Sequence, residues 1–183
     1  MKRRLFTGSL IWAACFLAAC NEDNSSTGDS PYKGDIRDGK RDGLGVNDFT
    51  NGDRYAGEWE KDKREGRGLY LHSNGEAYLG TYAADNKNGP GISTWPDGER
   101  YLGDFKDGQK HGDGIYVLAN GEKYIGEFRE NEFSGRGVYI FPNGDRFTGL
   151  FEKGLAAEGT MEKADGATAK MRQDELGNWI AAQ

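Results

Sequence analysis

Two histidines and a regular series of carboxylates are the residues whose chemistry could support catalysis or metal binding. The carboxylates recur every 23 residues, at Asp53, Glu76, Glu99, Glu122 and Asp145. Paired carboxylates perform general acid–base catalysis, and histidines together with carboxylates ligate metals. His72 and His111 lie at different points of the 23-residue period, so no fixed geometry brings both to one carboxylate. We therefore expect no catalytic residue, no metal site and no cofactor.

The carboxylate series also has a simpler interpretation as charge pairing on a surface. Basic or small residues follow it directly, at Arg54, Ala77, Arg100, Lys123 and Arg146. Neighbouring units of two strands would lie about 10 Å apart, which is too far for a carboxylate pair, whereas opposite charges on adjacent strands stabilise a sheet. We interpret the two series as cross-strand charge pairs that favour solubility.

Glycine-rich motifs recur at the same period but lack the context of a ligand site. No strand-to-helix pattern follows the Gly-x-Gly pairs, as a phosphate-binding loop requires. The run 85–89 lacks the ligand spacing of a calcium loop, and the sequence contains no Gly-x-Ser-x-Gly elbow. These glycines are therefore interpreted as structural.

A ring at a constant spacing of 23 residues defines the repeat. It stands at Tyr32, Tyr55, Tyr78, Tyr101, Tyr124 and Phe147. A glycine follows two residues later, and a second ring, or Ile36 in the first unit, follows two residues after that. A Gly-x-Gly pair and a β-rich segment come next, and the unit closes on Asn-Gly or Asp-Gly.

This pattern predicts a β-hairpin in every unit. Asn-Gly between alternating apolar runs is a strong hairpin signal, and it indicates a type I′ turn, which needs positive φ at both central residues. Tyr55, Gly57 and Trp59 would share one face of their strand because residues two apart point the same way. A ring from the adjoining repeat could lie over the bare backbone at the glycine, and stacked repeats would then form a continuous aromatic row.

The sequence of Tyr-x-Gly-x-aromatic, Gly-x-Gly and Asn-Gly within 23 residues resembles the MORN (membrane occupation and recognition nexus) repeat. The resemblance covers 32–166 and implies an all-β fold, an elongated single-layer antiparallel meander of six stacked hairpins. The first unit, with Ile36, and the sixth, with a one-residue deletion after Gly154, are expected to be caps. The tail, 167–183, fits either a last strand or a short helix.

The rings are also the candidate binding residues. Most are expected to be structural, with possible binding, along a repeat face of Tyr55, Trp59, Tyr78, Tyr82, Tyr101, Phe105, Tyr124 and Phe128. Others are candidates for exposed binding rings, namely Tyr70, Trp95, Tyr116 and Tyr139. Such rings could receive a peptide or stack on a glycan.

The N-terminus has the layout of a secretory signal, with three basic residues, an apolar segment and small residues before Cys20. The tetrapeptide 17–20 resembles the lipobox of bacterial lipoproteins, which implies a signal peptide at 1–19 and a lipid on Cys20. A plain signal peptide cut near Ala19 is the alternative. Residues 20–31 are then the lipidated cysteine and a flexible linker. The expected location is the bacterial cell envelope, facing the periplasm, with the outer membrane favoured because Asn21 is not aspartate.

The net negative charge of the chain disfavours several classes of partner. The chain carries a net charge of −6, and removal of 1–19 would leave 21 basic and 30 acidic residues. An acidic array is repelled by anionic lipid, so phosphoinositide binding is disfavoured, and nucleic-acid binding is disfavoured likewise. The membrane link would instead be the lipid on Cys20.

These observations favour a non-catalytic, membrane-anchored scaffold for protein–protein interaction. Its partner would be another protein or a second copy of the chain. The alternative is a glycan- or peptidoglycan-binding module that uses exposed rings. An enzyme with a site spread over the repeats has the least support.

Overall fold

The computed structural model describes residues 31–182, and these form fourteen β-strands. The strands are β1 (Tyr32–Arg37), β2 (Lys40–Asp48), β3 (Arg54–Glu60), β4 (Lys63–Leu71), β5 (Ala77–Ala83), β6 (Asn86–Thr94), β7 (Arg100–Lys106), β8 (Gln109–Val117), β9 (Lys123–Arg129), β10 (Glu132–Ile140), β11 (Arg146–Glu152), β12 (Leu155–Glu162), β13 (Thr168–Gln173) and β14 (Trp179–Ala181).

All fourteen strands belong to one sheet, in which each strand pairs antiparallel with the next strand of the chain. The predicted all-β, single-layer meander is thereby confirmed. The predicted signal peptide, Cys20 and all but residue 31 of the predicted linker lie outside the described residues. Within 31–182, no helix of sufficient length and apolar character to cross a membrane is found.

The Asn-Gly turns differ from the predicted type. At Asn51-Gly52 only the glycine has positive φ, 86°, and the Gly52 amide donates to the Phe49 carbonyl at 3.0 Å. This is a type I turn followed by a left-handed residue, so the expectation of a type I′ turn was wrong. The side chain of Asn51 explains its presence instead, because its Oδ1 accepts the Asp53 amide at 3.1 Å.

Type I′ geometry occurs at the other turn of each unit. Lys61 and Asp62 between β3 and β4 have φ of 48° and 71°, so both central residues are left-handed. The same pair of positive φ values recurs at Ala84 and Asp85. The second position of the pair is Gly, Asn or Asp in every unit, and these residue types tolerate positive φ best.

A β-bulge follows each type I′ turn and explains the first glycine of the Gly-x-Gly pair. Between β3 and β4 the register shifts beyond Gly57, and Gly66 at the shift has φ of 58°. Glu58 supports this bulge, because its Oε1 accepts the Arg67 amide at 2.9 Å. Glu127 repeats the arrangement with the Arg136 amide at 3.1 Å.

The C-terminal tail continues the sheet, which decides between the two alternatives. β13 pairs with β12, and β14 pairs with β13. The Trp179 ring of β14 lies 4.8 Å from the ring of Phe147, centroid to centroid. The tail therefore caps the end of the aromatic row with an indole.

Candidate interaction surface

The first ring of each unit lies over two glycines of its own hairpin. A Cβ at Gly57 or at Gly68 would lie 2.5 Å from Cζ of Tyr55, and Gly57 and Gly68 face each other across β3 and β4. The expected cover was a ring from the adjoining repeat, and this was wrong. The ring leans along its strand, and the Tyr55 hydroxyl donates to the Glu58 carbonyl at 3.0 Å.

The second ring of each unit connects neighbouring units edge to face. Tyr82 lies 5.2 Å from Tyr78 of its own strand and 5.3 Å from Tyr55 of the preceding unit, with interplanar angles of 89° in both cases. The same zigzag continues through the later units as far as Phe151 and Phe147. Edge-to-face contact is the favoured geometry of aromatic pairs. The predicted continuous aromatic row is present, and we call this side of the sheet the aromatic face.

A further set of tyrosines donates hydrogen bonds to the carboxylate series. The Tyr70 hydroxyl donates to Asp53 Oδ2 at 2.8 Å, and Tyr139 donates to Glu122 Oε2 at 2.6 Å. Tyr116 donates in the same way to Glu99. These carboxylates were predicted to pair with the basic residues that follow them, and this prediction was wrong. Arg54 instead forms an ion pair with Asp48 at 3.3 Å. The carboxylates hold the tyrosines in place.

A row of cations covers the rings, which the sequence interpretation missed. It comprises Arg41, Arg64, Lys87 and Lys110, spaced 23 residues apart. The Arg41 guanidinium carbon lies 4.0 Å from the Trp59 ring centroid, and Lys110 Nζ lies 3.8 Å from that of Tyr116. Cations in this position are attracted by the ring quadrupole. The next residue of the row, Phe133, stacks on Tyr124 at 4.0 Å.

Titration properties follow from this packing. Burial raises the pKa of all nine tyrosines, and it raises the pKa of Tyr32, Tyr70 and Tyr124 to about 12. Burial lowers the pKa of Lys87 and Lys110. Hydrogen bonds from the Ser73 amide and the Tyr70 hydroxyl lower the pKa of Asp53 to about 2.

The rings of the repeat face, which are predicted to be structural with possible binding, are used in packing. The eight rings of the predicted repeat face are all buried, with at most 5% of their surface exposed. Tyr70 is buried too, at 9%, in contrast to the expectation that it is exposed. Trp95, Tyr116 and Tyr139 are partly buried, and Trp95 and Tyr116 are in edge-to-face contact at 6.3 Å.

The two histidines lie at different places along the sheet, each near a different carboxylate. His72 Nδ1 is 3.5 Å from Asp53 Oδ2, and its ring is 4.5 Å from the Tyr70 ring. His111 pairs with Asp104 in the register of β7 and β8. Among residues 31–182, no group of three or more His, Cys, Asp or Glu side chains could hold a metal ion.

The opposite side of the sheet, which we call the open face, carries the exposed aliphatic residues. A continuous apolar stripe crosses nine strands, each residue paired with the next across the sheet. The stripe consists of Val46, Ala56, Leu69, Leu79, Ile92, Leu102, Ile115, Ile125 and Val138. Six of the eight large hydrophobic residues that are exposed within 31–182 lie on this face. Contiguous apolar surface of this kind is typical of interaction sites.

The open face also forms a shallow groove over β9 to β13. The groove has a volume of about 570 Å³ and is lined by Ile125, Val138, Leu150 and Thr160, with Arg136, Glu158 and Lys170 among its polar residues. The open face therefore combines aliphatic contact area with charged side chains of both signs.

Fold and surface together define a class, an open β-repeat protein whose rings form its core and whose other face carries exposed aliphatic residues. The MORN repeat family model matches residues 32–54, 55–77, 78–100, 101–123 and 124–146. The chain belongs to the MORN repeat family. The sixth predicted unit lies beyond the match, although β11 and β12 continue the hairpin series there.

Other comparisons give only distant likenesses. No curated protein matches the chain. Among solved structures, the TCP domain of SAS-4 (dCPAP) of Drosophila melanogaster, in complex with a proline-rich motif of Ana2 (dSTIL), is 12% identical with a TM-score of 0.35, covering 81% of this chain and 93% of that one. The G-box domain of the microcephaly protein CPAP is 15% identical with a TM-score of 0.28, covering 76% and 86%. With TM-scores this low, neither likeness bears on the partner of this chain.

Proposed function

We propose that this protein is a non-catalytic MORN-repeat scaffold that binds a protein partner through its open face. The observation that supports this is the difference in burial between the two faces of the sheet. The rings of the aromatic face are used in packing, whereas Leu102, Ile115 and Ile125 on the open face remain 39–45% exposed in adjacent strands. Apolar area rimmed by charges is typical of a protein interface.

We further propose that the protein is anchored to a membrane of the bacterial cell envelope, facing the periplasm, through a lipid on Cys20. The tetrapeptide 17–20 supports the anchor, and the net charge of −6 speaks against a purely electrostatic attachment to anionic lipid. The polar residues after Cys20 would act as a tether between membrane and sheet.

The alternative of glycan binding has less support. Stacking on a sugar requires an exposed ring face, and the eight rings of the predicted repeat face are buried. Tyr116 and Tyr139 are partly exposed, but their hydroxyls donate hydrogen bonds to Glu99 and Glu122. These hydroxyl protons are therefore not available to orient a sugar.

Photocrosslinking in cells tests the scaffold. A photoreactive residue placed at Leu102 or Ile125 samples the open face, and the same residue placed at Asn74 samples a turn. We expect a defined protein adduct from the first two positions, which fails to form from Asn74. Adducts of equal yield from all three positions would contradict binding through the open face.

Cell fractionation tests the anchor separately. Cys20→Ser should move the chain out of the membrane fraction while leaving its β-sheet circular dichroism unchanged, because position 20 precedes the sheet. An unchanged membrane fraction would contradict the lipid anchor without affecting the scaffold proposal.

A further inference from the structure

The centre of the open face carries three exposed aliphatic residues on consecutive strands. Leu102 on β7 pairs with Ile115 on β8, which pairs with Ile125 on β9. Their exposed fractions are 45%, 39% and 42%. Three large aliphatic side chains on consecutive strands form one contiguous patch, which we call the central patch.

Charges of opposite sign lie on the two sides of the central patch. Arg100 and Lys123 stand two residues before Leu102 and Ile125 on their strands, and they form a basic row on one side. Asp104 and Glu127 stand two residues after the same residues, and Asp113 pairs with Glu127 in the register of β8 and β9. These form an acidic row on the other side of the central patch, and Arg136 on the next strand, β10, adjoins the end of this row at Glu127. All five charged side chains of the two rows are exposed.

This arrangement is complementary to itself under one particular two-fold rotation. Consider two copies placed with their open faces together and related by a two-fold axis that runs along the stripe. The central patch of one copy then lies on the central patch of the other. This axis also exchanges the two sides, so each basic row meets the acidic row of the other copy. An axis along the strands would instead place basic row on basic row, and like charges across an interface are unfavourable. An interface of this symmetry requires one self-complementary surface.

We propose that the partner bound at the central patch is a second copy of this chain, related by a two-fold axis along the stripe. This rests on the proposed function, whose binding face it uses. In this dimer, β8 lies across β8 of the other copy, and Ile115 contacts its own equivalent. The paired sheets would resemble a β-sandwich, in which two sheets pack about 10 Å apart.

The size of the contact is consistent with a dissociable dimer. The twist of a β-sheet turns distant strands away from the partner, which limits the contact to the central strands. Five strands spaced about 4.8 Å apart and seven residues long would bury about 1,100 Å² over both copies, near the lower limit of a specific interface. We therefore expect an equilibrium between monomer and dimer that depends on concentration.

A charge exchange tests both the occupant and the axis. Asp113 and Lys123 lie on opposite sides of the stripe, about 14 Å apart within one chain, but on the proposed axis Asp113 faces the region of Lys123 in the other copy. Asp113→Lys alone and Lys123→Glu alone should each weaken the dimer at least tenfold. The two changes together in one chain should restore it. Lys153→Glu, an exposed turn substitution, is the matched control for charge and should leave the dimer unchanged.

Sedimentation equilibrium of the full chain with Cys20→Ser, over a concentration series, measures the association. Circular dichroism checks that each variant retains its sheet. A wild-type chain that is monomeric at every concentration, or a double variant that stays as weak as the single variants, would overturn the proposal. Binding of the monomer to phosphatidylglycerol vesicles through the patch would overturn it as well. A monomeric chain that still gives a defined adduct with another protein at Ile125 would leave the proposed function standing.

Discussion

The phenol ring of Tyr78 lies over Gly80 of its own strand. A Cβ at Gly80 would lie 2.6 Å from Cζ of Tyr78 and 2.7 Å from the Cα of Gly91 on the neighbouring strand. The ring and two facing glycines therefore form one packing unit, in which the missing side chains give a tyrosine room to lie flat and become fully buried. This unit recurs along the sheet, and it explains why so many glycines occur in strands, where they are otherwise unfavourable.

Gly80→Ala should destabilise the protein by about 2 kcal/mol or more, because the new methyl group overlaps a ring and a backbone atom that are both held in place. Urea unfolding followed by circular dichroism measures the change in the free energy of unfolding. The control is Lys106→Ala at an exposed position, for which we expect a change within about 0.5 kcal/mol. Equal effects of the two substitutions would show that the ring does not occupy this space.

Lys110→Met should cost about 1 kcal/mol, because Met retains most of the aliphatic stem and loses the ammonium group that lies 3.8 Å from the Tyr116 ring centroid. Lys106→Met, on a neighbouring strand and exposed, serves as the matched control. Thermal unfolding compares the two variants with the unmodified chain. If the Lys110→Met variant is as stable as its control, the contact between the ammonium group and the ring does not stabilise the fold.

The sequence predicted the architecture because each 23-residue unit forms one β-hairpin. It did not predict which ring covers which glycine, since that depends on how far a ring leans along its strand, and the pattern Tyr55-x-Gly57 is the same for either arrangement. The turn type was missed because Asn51 was interpreted through its tolerance of positive φ, whereas its side chain accepts an amide hydrogen bond.

The candidate surface was harder to predict than the fold. The cation row at Arg41, Arg64, Lys87 and Lys110 was visible as a 23-residue spacing, and this signal could have been found. Most rings are predicted to be structural, and only Tyr70, Trp95, Tyr116 and Tyr139 are predicted to be exposed binding rings, because rings are common contact residues of interfaces. A thin sheet with one layer has few other means to bury area, so its rings are used internally, and the aliphatic residues between the charges remain exposed.

Stability should fall in acid through Asp53. Its pKa is about 2 in the folded protein and about 3.8 ordinarily, so its contribution is complete above pH 3.8 and is lost as the pH falls towards 2. We expect the melting temperature of Asp53→Asn to change less over this range than that of the unmodified chain. Glu152→Gln, at an exposed position, should follow the unmodified chain. Parallel curves for all three proteins would contradict the role assigned to the hydrogen bonds at Asp53.

Alkaline pH should unfold the sheet in one step. The tyrosine pKa is raised in the folded protein, to about 12 for Tyr70 and Tyr124, against 10.0 ordinarily. The resulting stability is complete below pH 10 and is lost as the pH rises through the folded values. Tyrosinate absorbance should therefore appear together with the loss of β-sheet circular dichroism. Gradual titration near pH 10 with the sheet intact would show that the rings are accessible to solvent.

The assignment of one face to packing and the other to binding is tested most directly by hydroxyl-radical footprinting of the folded chain, read out by mass spectrometry and compared with the same chain in urea. Tyr78, Tyr101 and Tyr124 are fully buried, whereas Leu44 and Leu150 are 49% and 43% exposed and lie outside the central patch. We predict strong protection of the three tyrosines on folding and little protection of the two leucines. Tyrosines that are labelled as fast in the folded chain as in urea, with the leucines protected, would contradict the account.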